Sequence, residues 1–117
     1  MKEYKLTILA PTNTAFATVS ARKDMKNPKH AIQIIGYHFL VDKHSFAQLI
    51  KYKTGTQFST LNYRQKIQKV QAKRGQVRLG PKSGAKYVGK IVRKDLYIST
   101  LDAVHGVDTV IRPPYLK

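Results

Sequence analysis

The sequence predicts an α+β fold in which helices pack against a largely antiparallel sheet. Apolar residues recur at helical spacing only in the first half of the chain. From Thr56 onward, short segments of β type are separated by glycines at 75, 80, 84, 89 and 106. Helices and strands are therefore segregated rather than alternating, which disfavours a parallel doubly wound sheet. The 117 residues provide for one domain with one core.

The individual elements follow from local patterns. Alternating apolar and polar residues predict a strand before Pro11, after which Thr12 and Asn13 are available to cap a short helix. Asparagine followed by proline at 27–28 is typical of a helix start, and isoleucines at 32, 34 and 35 supply that helix with an apolar side. A short buried strand is predicted over 37–41. The apolar residues at 46, 49 and 50 predict a second amphipathic helix, and the last strand is predicted over 104–111.

The charge of the chain lies outside the usual range. It has 22 Lys and Arg against 6 Asp and Glu, a formal net charge of +16. Such a field attracts polyanions and is screened by salt. Charge alone leaves nucleic acid, anionic membranes and acidic polysaccharide open as partners. Because the chain has no cysteine, it has neither a disulfide framework nor a cysteine-based metal site.

The basic residues concentrate between Lys43 and Lys94, a stretch that contains fourteen Lys or Arg and no Asp or Glu. Adjacent strands that carry alternate cations place many of them on one solvent face. Like charges that are concentrated without acidic partners repel each other, so we predict that these cations form a polyanion-binding face. The alternative is that the solvated cations protect the strand edges from pairing and keep the protein soluble. Its predicted members are Arg64, Lys66, Lys69, Lys73, Arg74, Arg78, Lys82, Lys86, Lys90, Arg93 and Lys94.

Three segments together resemble the fasciclin family: residues 6–16 (LTILAPTNTAF), a Tyr37 and His38 pair followed by phenylalanine and leucine, and residues 104–114 (VHGVDTVIRPP). The run TQFSTL at 56–61 is also similar, so the resemblance extends over nearly the whole chain and is weakest between residues 63 and 90. The closing segment looks more like the plant fasciclin-like arabinogalactan proteins than the animal adhesion proteins, with Gly106 where many relatives carry an apolar residue. The motif residues, mainly structural in this interpretation, are Pro11, Thr12, Asn13, Phe16, Tyr37, His38, His105, Asp108 and Pro113.

The resemblance implies a wedge of mainly antiparallel strands flanked by helices, mostly in the N-terminal half. It also implies an extracellular, cell-wall or cell-surface location and an adhesion or matrix-organising role. Family members usually have helices before the first strand, so we expect a single fasciclin-like domain over 1–117 that is trimmed at its N-terminus. Residues 1–9 contain no continuous apolar run and predict neither a signal peptide nor a membrane span.

The sequence contains few candidates for a chemical site. Tyr37 and His38 correspond to the family's tyrosine-histidine motif, for which receptor binding has been proposed in animal relatives; we favour a hydrogen-bonded histidine inside the fold. Asp95, with Leu96 and Ile98, lies near the place where those relatives have an aspartate and isoleucine pair linked to integrin contact. The match is one residue out of register, so we favour a structural role for Asp95 at a turn or strand edge. The four histidines and the scattered acidic residues show neither metal-ligand spacing nor a catalytic constellation. We therefore predict no cofactor, no metal site and no enzyme.

Three functional hypotheses remain. The first, which we adopt, is an adhesion or matrix module that docks its basic face on acidic polysaccharide or another polyanion and also contacts cell-surface or matrix proteins. The second is a nucleic-acid-binding protein, favoured by the charge and by aromatic residues among the cations at 52, 58, 63 and 87, although no RNP, KH, zinc-finger or helix-turn-helix signature is present. The third is a structural domain whose basicity serves no particular ligand.

Overall fold

A computed structural model of the chain describes residues 5–62, 65–82 and 85–113. Its elements, in chain order, are β1 (Leu6–Pro11), α1 (Asn13–Phe16), α2 (Val19–Lys26), α3 (Pro28–Tyr37), β2 (Phe39–Val41), α4 (Phe46–Lys51), β3 (Gln57–Ser59), β4 (Lys66–Val70), β5 (Arg78–Gly80), β6 (Gly89–Ile98) and β7 (Asp102–Val107). The four helices found in these ranges all lie in the first half, as the sequence predicts. Within the described ranges, no helix is long and apolar enough to cross a membrane.

The strands form one sheet in the order β2-β1-β7-β6-β5-β4-β3. Only the β1–β7 pair is parallel among the described strands; the other neighbours run antiparallel. The two ends of the sheet approach each other, since Leu40 of β2 forms an isolated antiparallel bridge with Thr60 and the Leu61 amide donates to the Phe39 carbonyl at 3.0 Å. The sheet is therefore strongly curved and nearly closed, which gives the wedge that the resemblance implies.

The inner side of the curved sheet holds the main core. Alternate residues of each strand point to it, among them Leu9, Leu40, Ile67, Leu79 and Val107. Helix α4 closes this side with Leu49, and its start is fixed by a capping box in which Ser45 and Gln48 satisfy each other's backbone amides.

Helices α1 to α3 pack beside the outer side of β1 and β2. Their starts are capped by Thr12, Thr18 and Asn27, whose side-chain oxygens accept backbone N–H bonds. Ile34 and Val110 belong to the small second core beneath these helices. The predicted capping by threonine before α1 and by asparagine before Pro28 is thus confirmed.

Three local predictions were wrong in their details. The strand predicted over 37–41 begins at Phe39, because Tyr37 ends α3. The last strand ends at Val107 and not near Ile111, and residues 108–113 follow it as irregular chain. Of the isoleucines predicted to form one apolar side of α3, only Ile34 is buried; Ile32 is 72 % exposed and Ile35 is 51 % exposed.

Candidate functional site

A group of cations lies on the outer side of β4, β5 and β6, which we name the basic face. Arg78 and Lys90 are direct partners across the β5–β6 ladder, so their side chains leave the sheet on the same side. Lys66 points to that side from β4, because its neighbour Ile67 is in the core. The remaining members lie on the adjoining turns and are exposed: Lys73, Arg74, Lys82 and Lys86.

A cleft of about 580 Å³ opens within the basic face. Its lining has two cations, Lys73 and Arg78, together with Gln71 and the apolar side chains of Val70, Ala72, Ala85 and Val88. None of the described lining residues carries a carboxylate. An anionic ligand in this cleft would meet positive charge and both polar and apolar surface.

The cations of the basic face are not neutralised inside the described part of the chain. Within those ranges, no Lys or Arg of the basic face has a carboxylate oxygen within 4.0 Å of its side-chain nitrogens. Asp108 is the acidic residue beside this face, and its Oδ1 accepts hydrogen bonds from the Lys90 amide at 2.9 Å and from the Thr109 hydroxyl at 3.0 Å. One carboxylate against seven cations leaves the face with a net positive charge.

Lys69 is not part of this face, and the prediction that it projects into solvent is wrong. It is only 7 % exposed, on the core side of β4. Its Nζ donates to the carbonyl oxygens of Leu49, Ile50 and Tyr52 at 2.8, 3.0 and 2.6 Å, which satisfies the carbonyls at the end of α4. Burial lowers the pKa of the Lys69 ammonium.

Two more predicted cations lie elsewhere, and one is outside the described residues. Arg93 is opposite Gly106 of β7, where the β6–β7 register shifts. The Nζ of Lys94 lies 5.2 Å from the centre of the Phe46 ring on α4, a cation-π geometry. Neither lines the cleft. Arg64 falls outside the described ranges.

The Tyr37 and His38 pair is buried, as expected from the sequence. The Tyr37 hydroxyl donates to the Lys66 carbonyl at 2.9 Å. The His38 Nε2 accepts from the Ile111 amide at 3.0 Å, so the proton must lie on Nδ1, which donates to the Ile34 carbonyl at 2.7 Å. Burial lowers the pKa of His38, which favours this neutral tautomer.

His105 has the complementary arrangement near the β6 bulge. Its Nδ1 accepts from the Asp95 amide at 2.9 Å, and its Nε2 donates to the His44 carbonyl at 2.8 Å. Asp95 has a positive φ of 51° at the bulge, and its Oδ1 accepts from the Phe46 amide at 3.1 Å. Asp95 therefore connects β6 to the start of α4, a structural role at an irregular point of the strand.

The other motif residues also act within the fold. Pro11 ends β1, Thr12 caps α1, and Asn13 is its first residue rather than its cap. Phe16 is partly exposed beside β1, and Pro113 is buried in the final segment.

Sequence reasoning missed a buried ion pair. Asp24 of α2 is paired with Arg112, with Asp24 Oδ2 2.8 Å from the Arg112 Nε and Asp24 Oδ1 3.0 Å from Nη2. The available signal was that Asp24 is the single acidic residue between positions 4 and 41. Among the described residues, no group of three His, Cys, Asp or Glu could hold a metal ion.

Comparison with known proteins agrees with this fold. The sequence profile of the Fasciclin domain matches residues 1–113. The chain belongs to the fasciclin family. Fasciclin domains are generally non-enzymatic cell-adhesion or extracellular-matrix modules of cell-surface or extracellular proteins. No curated protein matches the sequence.

The fold is also seen in solved structures. A FAS1 domain pair from the insect cell adhesion molecule fasciclin I superposes with a TM-score of 0.76 and 20 % sequence identity, over 95 % of this chain. The fasciclin domain described here spans 38 % of the length of that structure.

Proposed function

We propose that this fasciclin domain is an extracellular adhesion or cell-wall module whose basic face binds acidic polysaccharide without catalysing a reaction. The observation that carries the proposal is the cleft at the end of β4 and beside β5, which is lined by two cations, Gln71 and four apolar side chains, with no carboxylate among its described lining residues. Polymers of uronic acids present carboxylates at the edges of sugar rings whose faces are partly apolar. The cations would attract the carboxylates, and the apolar side chains would contact the ring faces.

The positions of the aromatic side chains favour polysaccharide over nucleic acid. Binding of single-stranded nucleic acid uses exposed aromatic rings on which bases stack. Phe58 is buried and packs with Tyr52 and His44, at ring-centre distances of 5.6 and 4.9 Å. Tyr87 is close to two cations: the guanidinium carbon of Arg112 is 5.4 Å from the ring centre, and the Nζ of Lys86, a member of the basic face, is 5.5 Å from it. None of these rings lines the basic cleft; the tyrosine at position 63 falls outside the described ranges.

The test is binding to de-esterified pectin, heparin and single-stranded RNA, measured side by side at low and physiological salt. The double variant Arg78→Ser with Lys90→Ser removes the paired cations of the face. We expect its affinity for pectin to fall about tenfold, because each lost surface contact contributes roughly 0.5–1 kcal/mol. The salt dependence of binding should become shallower, as fewer counterions are exchanged.

A matched control removes the same charge elsewhere. Lys51 and Lys53 are exposed at and after the end of α4, on the other side of the sheet. The variant Lys51→Ser with Lys53→Ser should retain the affinity of the unchanged domain. Equal losses in both double variants would mean that net charge alone drives adsorption, and a preference for RNA at physiological salt would contradict the proposal.

A further inference from the structure

The solvent side of the helical layer formed by α1, α2 and α3 carries three large apolar side chains. Ile32 of α3 is the most exposed of the large hydrophobic residues described, and Ile35 is about half exposed. These two residues are three positions apart and are therefore neighbours on one side of the helix. Phe16, which ends α1, is 41 % exposed and lines the same cavity as Ile35, so the three side chains lie together. We name Phe16, Ile32 and Ile35 the helix ridge.

The cavity behind the helix ridge has a volume of about 280 Å³ and an almost wholly apolar lining, which includes Ile8 and Met25. His38 also lines it, but both of its ring nitrogens are already bonded, one to the Ile34 carbonyl and the other to the Ile111 amide. The described lining therefore favours hydrocarbon over a polar ligand.

The helices that carry the ridge also carry exposed cations. Lys29 lies one turn before Ile32 on α3, and Lys26 ends α2 two positions before α3 begins. The single acidic residue between positions 4 and 41 is Asp24, which is buried and paired with Arg112. The ridge is therefore accompanied by positive charge that no exposed carboxylate of the described helical layer offsets. The exposed cations of α2 and α3 are Arg22, Lys23, Lys26 and Lys29.

Exposed carboxylates beyond the helical layer are accompanied by cations of their own. Asp108 lines a cleft beside α1 and α2 together with Lys86. Asp42, which follows β2, lines another cleft with Lys5 and Lys43. Neither carboxylate lines the cavity behind the ridge. The surroundings of the ridge therefore keep a net positive charge.

We propose that the helix ridge docks on an anionic lipid bilayer, with its three apolar side chains among the acyl chains and the cations of α2 and α3 at the headgroups. Such a surface places negative charge directly beside hydrocarbon, and lysines next to projecting aliphatic and aromatic side chains complement both. Side chains that project from the molecule also suit a deformable bilayer better than a preformed groove.

A second copy of this chain is disfavoured as the occupant of the ridge, because a symmetric contact would bring the cations of the two helical layers together. The proposal is independent of polysaccharide binding, since the basic face lies on β4, β5 and the start of β6, away from α1, α2 and α3.

The first test is co-sedimentation of the whole chain with vesicles of phosphatidylcholine alone and with vesicles in which a third of the lipid is phosphatidylserine. We expect binding to the anionic vesicles. Ile32→Ser with Ile35→Ser should lower that affinity by at least about tenfold, because two inserted apolar side chains are lost without a change of charge. The matched control, Leu96→Ser with Ile98→Ser, removes an exposed apolar pair from β6, two strands away from β1, and should retain most of the affinity.

The lysines beside the ridge are tested in the same assay. Lys26→Ser with Lys29→Ser should lower the affinity for anionic vesicles by about tenfold, because each cation near an anionic surface contributes to binding. Lys51→Ser with Lys53→Ser removes the same charge beside α4 and should lose little. Circular dichroism of each variant verifies that it is folded.

A second test reports the depth of insertion, because the chain has no native tryptophan. The fluorescence of Phe16→Trp should shift to shorter wavelength on anionic vesicles and should be quenched by lipids with brominated acyl chains. Ala47→Trp, at an exposed position of α4 on the other side of the sheet, should show neither effect. Three results would overturn the proposal: no binding to anionic vesicles, equal losses in the two apolar double variants, or binding that Arg78→Ser with Lys90→Ser removes while Phe16→Trp stays unquenched.

Discussion

Replacement of Lys69 by methionine tests the unexpected burial of this cation. The substitution keeps an unbranched side chain of similar length and removes the Nζ that donates to Leu49, Ile50 and Tyr52. The bond to the Leu49 carbonyl is buried, and without it this carbonyl keeps only the longer bond from the Tyr52 amide at 3.3 Å, so the loss costs about 1 kcal/mol. The other two bonds are partly accessible to water, and their loss adds about 0.5 kcal/mol each. We expect the free energy of unfolding to fall by about 2 kcal/mol.

Urea unfolding followed by circular dichroism measures this loss. With a denaturant slope of about 1.5 kcal/mol per molar, the midpoint should move down by about 1.3 M. Lys66→Met is the control, since Lys66 is exposed three positions earlier on the same strand; its midpoint should change little while binding to pectin weakens. The reasoning would be refuted if Lys69→Met unfolded at the midpoint of the unchanged protein, or if it weakened pectin binding as much as Lys66→Met does.

Three further predictions concern polar contacts within the fold. The pKa of His38 is lowered in the fold, so as the pH falls below 6.5 the unfolded chain binds this proton before the folded chain does. The free energy of unfolding should therefore be unaffected by this group above pH 6.5 and should decline as the pH falls towards the lowered pKa. Urea midpoints measured at neutral and acid pH should show this dependence, and His38→Gln should lessen it. Asp24→Asn leaves the Arg112 guanidinium without its carboxylate and should lower the free energy of unfolding by about 3 kcal/mol; a loss within measurement error would contradict a structural ion pair. Asp95→Ala places alanine at a positive φ and removes the acceptor of the Phe46 amide, so thermal unfolding should report a loss of about 1–2 kcal/mol, most of which Asp95→Asn restores.

The fold was predictable where local chemistry decides it. Threonine at 12 and asparagine at 27 each satisfy a backbone amide of the next turn, a short-range effect that one sequence contains in full. The end of the last strand was not predictable in this way, because it depends on contacts from distant parts of the chain. The Ile111 amide is bonded to the His38 ring, seventy-three positions away, and no periodicity contains that information.

The alternation of side chains along a strand predicts that Lys69 points into the core, but the prediction followed the concentration of charge in this stretch instead. Residues two apart on a strand share a face, so Lys69 lies on the same side of β4 as Ile67, while Lys66 lies on the other. Grouping the cations by how closely they follow each other in the sequence assigned residues from both sides of β4 to a single face. The destination of the Lys69 Nζ was not predictable from the sequence, because it depends on how the end of α4 packs against β4.

The motif histidines make contacts inside the fold, whereas the cations of the basic face lie on its surface. His38 connects α3 to the final segment, and His105 connects β7 to the β6 bulge and the start of the α4 region; both rings use both nitrogens in buried contacts with the backbone. Side chains committed in this way have no nitrogen left for a ligand. The basic face and its cleft lie between residues 66 and 90, on strands and turns that contain neither of these histidines. We therefore expect substitutions of the cations of the basic face to change binding while the backbone contacts of the two histidines stay intact.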